Sequence, residues 1–315
     1  MHPMKIIALG AALAAAAWVA QADSRVEKTL TLAPGGTFSV RTELGGVRVI
    51  GTDRAGVRVV VTSTRDDLNE LLAFQYEERA GSASVVARKR HPVSNFFGSP
   101  GRSVRFEIEV PAETRVTVDT SGGGIKLASL RGDTKLETSG GGIEVRDHAG
   151  EVAANTSGGG ITLSHVRGRC RVETSGGGIT AEAIDGAVDG ETSGGSIRFD
   201  GITGDIHAHS SGGGIHIREA GGRVEADTSG GSVQVEFTRS NARGGSIESS
   251  GGGVTVSVDP SVGLAIDASG NSVQADVPIT VRGEISRRHL KGTLGPGGET
   301  LRLRTSGGSV HILAL

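Results

Sequence analysis

The sequence predicts an all-β fold: a parallel β-solenoid, β-helix or β-roll in type, with 18-residue coils and irregular β caps at both ends. Three observations predict it. Thr120-Ser121-Gly122-Gly123-Gly124-Ile125 returns every eighteen residues, at 138–143, 156–161, 174–179, 192–197, 210–215 and 228–233. Aliphatic residues recur in files at fixed offsets from the repeat isoleucine, and a second glycine recurs seven residues after it. A short fixed period means that one unit cannot bury its own apolar face and must stack on its neighbours.

Residues 1–22 read as a secretory signal peptide. His2 and Lys5 precede an apolar run from Ile6 to Ala20, and Ala20-Gln21-Ala22 supplies a small-x-small site ahead of a cut before Asp23. An uncleaved anchor is the alternative reading, and the shortness of the run counts against it. No Cys follows the run to carry a lipid, and no other stretch is long and apolar enough to span a bilayer as a helix. The expectation is an exported mature chain without a transmembrane segment, periplasmic or at the cell surface. With one Cys no intrachain disulfide can form, so backbone ladders and stacked side chains must stabilise the fold.

Residues 23–110 read as an amino-terminal β region leading into the solenoid. Leu30, Leu32, Phe38, Val40, Val47, Val49, Val57, Val59 and Val61 alternate with polar residues, and turns are expected at Pro34-Gly35-Gly36, Gly45-Gly46 and 53–56. Asp66 to Glu78 carries helical character through Leu68, Leu71 and Leu72, or else is a loop leading into a strand at Phe74 to Tyr76. Strands follow at 82–88 and 104–110, separated by an irregular segment, 89–103, that contains Pro92, Phe96, Phe97 and Pro100. A long irregular segment is often functional or mobile; the alternative, which is favoured, is that the two rings cap an end or cover an edge of the stack.

Residues 111–259 hold the regular coils. One file is Ile125, Ile143, Ile161, Ile179, Ile197, Ile215 and Val233; a second, two residues on, runs from Leu127 to Val235 and includes Phe199. The glycine file is Gly132, Gly150, Gly168, Gly186, Gly204 and Gly222, followed two residues later by Thr134, Val152, Cys170, Val188, Ile206 and Val224. Offsets of two between glycine corners mean short strands joined by tight turns, and two corners per coil favour two principal faces, with three as the alternative. The glycines are expected to supply backbone angles that a β-carbon resists. Stacked coils lie about 4.8 Å apart, and burying each file residue contributes on the order of 1.5–3 kcal/mol. Thr138, Thr156, Thr174 and Thr192 share inward parity, which predicts a hydroxyl ladder at the triglycine corner. Cys170 falls in an aliphatic file and reads as a small core residue. Residues 260–315 are expected to form irregular coils and a cap, with a basic run from Val281 to Leu294 and a closing strand pair from Leu301 to Leu313. An uncapped terminal coil would template aggregation.

With 33 Lys+Arg against 35 Asp+Glu, the formal net charge of −2 argues against nucleic acid, which needs a basic surplus on some face. The 52 glycines sit at fixed offsets, so they signal corners rather than low-complexity disorder.

The chain resembles the bacterial β-strand-repeat proteins described as adhesins, including those with the head GIN domain. Glu109-Val110-Pro111, the alternation through Val116 and Val118 into the first triglycine, and the closing segment 301–310 carry the resemblance, which covers the chain from about Thr29 onward. It implies an exported β-solenoid with a role in adhesion, and it brings no catalytic residues.

No catalytic, cofactor-binding or metal-binding residue is assigned from the sequence. A calcium roll would need Asp at each corner, and a phosphate loop would need Lys-Ser/Thr and a helix after the glycines. The serines repeat in every coil, as structural positions do, rather than forming one triad. One grid stands apart. At offsets ten and twelve, expected to face outward, three adjacent coils carry Asp189 and Glu191, His207 and His209, then Glu225 and Asp227. It reads as a solvated charged face, with a divalent metal site as the alternative. The leading functional expectation is a non-enzymatic envelope protein, binding or structural, with a protein or glycan partner. A carbohydrate-active β-helix enzyme is the alternative, although the regular repeats carry just Phe199 and Phe237 as aromatic platforms. A third class, ice or crystal-surface binding through a Thr array, is opposed by the inward parity of the threonines.

Overall fold

The triglycine and the second glycine break each 18-residue unit into two short strands, and the computed structural model, which describes residues 24–64, 68–90, 104–281 and 286–315, stacks them as two sheets. The signal-like segment and the Phe96-Phe97 segment lie outside the described residues. Parallel pairing sets like upon like: Ile143 on Ile161, Ile161 on Ile179, Ile197 on Ile215. The first sheet holds strands such as Ile143–Ala149 and Ile161–Arg167, and the second holds Val152–Thr156 and Cys170–Thr174. Two principal faces are therefore present, and the aliphatic files between them form one continuous buried core.

Two further core files were not read from the sequence. Leu136, Ala154, Val172, Gly190, Ala208 and Ala226 face inward from the second sheet, all buried. Their sizes answer the file opposite: Phe199, fully buried, brings its Cζ to 2.7 Å from where a Gly190 β-carbon would stand. The other file arises from a kink. Ser129, Asp147, His165, Ala183 and Glu219 take left-handed φ of 50–59°, with Gly201 at 66° in the same row. Each kink turns the next residue inward and buries Leu130, His148, Val166, Ile184, Ile202 and Ala220. Since left-handed geometry disfavours side chains with a β-carbon, the gain of an inward residue per coil offsets a local strain.

The two glycine corners have different physical causes. At the second corner Gly132, Gly150, Gly168 and Gly186 have φ of 142–152°, which fits the expectation that glycine supplies a special angle. At the triglycine corner no positive φ occurs, so the expectation is corrected there. Successive corners stack so closely that a β-carbon on Gly141, Gly159, Gly177, Gly195 or Gly213 would fall under 3.0 Å from backbone atoms of the coil before. The threonine file locks this corner: Thr138 Oγ1 donates to Gly123 O at 2.7 Å, Thr156 to Gly141 O at 2.7 Å and Thr174 to Gly159 O at 2.7 Å. Ser210 and Ser249 keep the same bond to Gly195 O and Gly231 O. The hydroxyls are thus a ladder to glycine carbonyls rather than to one another.

His148 is the exception in its aliphatic file. It is 2% exposed, and neither ring nitrogen meets a partner in hydrogen-bond geometry. Burial lowers its pKa from the usual 6.5, opposed in part by the Glu151 backbone and the Asp133 carboxylate. The unfolded chain therefore binds the proton more readily, so stability is complete above about pH 6.5 and falls as pH drops through the window toward the folded pKa. His148→Leu should raise stability by ~1–2 kcal/mol, the cost of a buried unpartnered polar group. It should also flatten the loss of melting temperature between pH 7.5 and 5.5; an unchanged pH slope would rule out His148 as its source.

Cys170 is buried in its aliphatic file, as expected, with burial pushing its thiol up to about 12. In the segment beginning at Asp66 only Leu68–Leu71 is helical among the described residues; Leu72–Arg79 is a strand, because the alternation through Phe74 and Tyr76 pairs it with Ser82–Lys89.

At both ends the spatial order departs from chain order. Thr37–Thr42 and Gly46–Thr52 form a coil directly on the first regular one, and Ser82–Lys89 and Val104–Pro111 stack outside it. Val57–Ser63, Ser24–Leu30 and Leu72–Arg79 then add antiparallel rims. At the other end Glu299–Thr305 and Val310–Ala314 do not close the stack. They sit on Gly245–Ser249 and Val254–Val258, while Leu264–Ser269 and Val273–Ala275 lie outside them. His289–Leu294 and Ile279–Val281 complete that end in antiparallel fashion. Between the regular coils and this end, a longer connection at 238–244 is anchored by buried Asn241, whose Nδ2 donates to Ala220 O and Gly222 O at 2.6 and 2.8 Å.

Candidate functional site

Strand alternation places every second residue of the second sheet outward, and parallel register then lines up residues of adjacent coils. Asp189 pairs with His207 and His207 with Glu225 in one row; Glu191 pairs with His209 and His209 with Asp227 in the next. All six residues expected to share a face do so. Within the grid the structure distinguishes two sets. One ligating atom from each of Asp189, Glu191 and His207 lies within 4.8 Å of the others, the single such group of three or more among the described residues. Glu225, His209 and Asp227 stay outside that cluster: His207 Nδ1 is 3.8 Å from Glu225 Oε2, and His209 Nδ1 is 3.3 Å from Asp227 Oδ2.

Asp189 is partly buried. Its side chain is 20% exposed, Oδ2 lies 3.9 Å from Arg171 Nε, and Oδ1 is buried with no hydrogen-bond partner. A groove of about 310 Å³ runs beside it, lined by Arg169, Asp205, His207, Arg223 and Glu225. Arg223 Nε stands 3.4 Å from Glu225 Oε1, so cations border the grid without filling it.

The sequence reading missed a larger surface on the first sheet. A groove of about 690 Å³ crosses the coils near the amino-terminal end, lined by Arg48, Arg105, Lys126, Glu107, Glu144 and Thr162 together with the triglycine corners. Lys126 Nζ lies 2.8 Å from Glu144 Oε2 and Arg146 2.5 Å from Glu144 Oε1. The Lys126 hydrogen bond, aided by the charges of Arg146 and Arg48, holds the Glu144 carboxyl below the usual range. The signal was present at offset one from the repeat isoleucine, an outward position where charged and hydroxyl side chains follow one another.

The file hydroxyls are committed to glycine carbonyls, and the thiol of Cys170 is buried.

Several solved structures are similar to the chain over nearly its whole length. A candidate adhesin from Parabacteroides merdae shares 11% identity and a TM-score of 0.41, covering 92% of this chain and 96% of that one. A candidate cell adhesion protein from Clostridium sporogenes shares 12% identity and a TM-score of 0.31, covering 93% and 100%. A candidate lipid-binding protein from Parabacteroides distasonis shares 10% identity and a TM-score of 0.32, covering 92% and 97%. No curated protein sequence matches the chain significantly. The profile of the Toastrack DUF4097 family matches residues 38–313, and the chain belongs to that family.

Proposed function

We propose that this protein is an exported, non-enzymatic β-solenoid of the cell envelope that binds a protein or glycan partner across its outward strand faces. The observation that carries the reading is the groove on the first sheet, where one parallel-paired row sets Arg48 and Lys126 side by side between Glu107 and Glu144, with Arg105 on the same strand as Glu107. Fixed charges of both signs on a rigid ladder suit recognition of a polar partner, since little side-chain and no backbone ordering is needed on docking. The committed hydroxyls and the buried thiol support a binding role over a catalytic one. The adhesion implied by the family resemblance and the signal-like residues 1–22 agree with export.

The test is fractionation followed by crosslinking in place. The mature chain is expected in the envelope fraction with Asp23 as its first residue, and a photo-crosslinker at Thr162 in the groove is expected to capture a neighbour that one at Glu137 on the other sheet does not. An uncleaved cytoplasmic chain would overturn export. Polysaccharide turnover abolished by one carboxylate substitution would overturn the non-enzymatic reading.

A further inference from the structure

The cluster on the second sheet goes beyond that reading, and it concerns the face opposite the groove. We propose that Asp189, Glu191 and His207 bind a divalent transition-metal ion of the zinc class.

Three observations carry the assignment. First, one nitrogen and two carboxylate oxygens already lie within 4.8 Å of one another, and no other His, Cys, Asp or Glu group of this size is so gathered among the described residues. Zinc held at about 2.0–2.2 Å by each ligand sets them about 3.3 Å apart in a tetrahedron, so the side chains need to close by at most about 1.5 Å. Second, Asp189 Oδ1 is a buried carboxylate oxygen without a hydrogen-bond partner. Such an atom is costly unless something satisfies it, and a cation held by this carboxylate offers the missing partner. Arg171 does not, for it stands 3.9 Å from the other oxygen. Third, the ligands sit on two register-paired strands, Val188–Thr192 and Ile206–Ser210, whose backbones are fixed by the ladder on either side. Rigid strands hold a metal site more closely than loops do.

The donor set also selects the ion. One imidazole with two carboxylates suits a borderline metal such as zinc better than calcium or magnesium, which take oxygen ligands alone. Glu225, 3.8 Å from His207 Nδ1, supplies the neighbouring carboxylate that commonly accompanies a metal-bound histidine. Three protein ligands leave a tetrahedral ion one open position. Since the cluster faces solvent at the edge of a groove, that position is available to a donor from outside the chain.

The experiment is calorimetric titration of zinc chloride into the chelator-stripped full-length protein. One site per chain is expected. His207→Ala and Asp189→Asn should each weaken binding at least about tenfold, while His209→Ala, outside the cluster, should leave it unchanged. Zinc should also raise the melting temperature of the wild type and not of the two weakened variants, whose β-sheet circular dichroism shows that they are folded. Absence of binding by the wild type, or wild-type binding by His207→Ala and Asp189→Asn, would overturn the assignment. Equal loss in His209→Ala would overturn it too, by moving the ion to another row. None of these outcomes bears on whether the protein is exported.

Discussion

Gly177→Ala is expected to destabilise the protein by on the order of 3–5 kcal/mol, at the severe end for a single methyl group. The added β-carbon would stand under 3.0 Å from Gly159 O, Gly159 C and Gly160 N, all backbone atoms of the preceding coil. No flexible side chain is available to move aside, so the two corners must part. Parting them pulls Thr174 Oγ1 from Gly159 O and disturbs the amide of Gly177, which donates to the same hydroxyl at 3.3 Å. The next glycine provides the contrast. Gly178→Ser should cost clearly less, about 1–2 kcal/mol, because a β-carbon there meets one backbone atom under 3.0 Å, Ser196 O at 2.9 Å, and Ser196, Ser232 and Ser309 already occupy the equivalent place in other coils. Thermal and urea unfolding of the two variants side by side is the measurement. Equal losses would show that the corner needs glycine for some reason other than backbone approach between coils.

Phe199→Ala should cost about 3–5 kcal/mol, as the loss of a fully buried ring generally does. The more telling result concerns Gly190, which faces the ring from the other sheet. Alone, Gly190→Ala should destabilise, since its methyl would meet Phe199 Cζ at 2.7 Å. In the Phe199→Ala background the same substitution should stabilise by partly refilling the space. A double-mutant cycle on melting temperature therefore predicts a change of sign. Simple additivity would mean that the two files are not matched in size across the core.

Periodicity made most of the architecture legible. Parallel stacking conserves the offset of every residue from its repeat isoleucine, so the files at that isoleucine, two residues on and nine residues on, the hydroxyl ladder and the outward grid from Asp189 to Asp227 followed from counting alone, and the file from Leu136 to Ala226 has the same parity although it was not read. What escaped has definite causes. The left-handed kink at Asp147, His165 and Ala183 reverses parity in mid-strand, and no residue preference marks it, since these side chains differ in every coil. The file containing His148 was hidden for that reason. Close approach of glycine backbones leaves the same signature in sequence as an unusual φ, so the triglycine was explained by the wrong one of two physical causes. At the ends strict repetition fades, and alternation alone cannot tell which strand lies beside which. Counting also gathered the six grid residues on one face but could not single out Asp189, Glu191 and His207, because that depends on side-chain reach rather than register.

The displaced order at the carboxyl end bears on how the molecule is assembled. Leu264–Ser269 and Val273–Ala275 are made before Glu299–Thr305 and Val310–Ala314, yet they rest upon them. During synthesis the early arrivals have no seat until residues 299–314 emerge. Growth of the stack can run ahead coil by coil through the regular region, but completion of this end must wait for residues 299–314. The final step then brings together strands distant in sequence, and closures of that kind are slow.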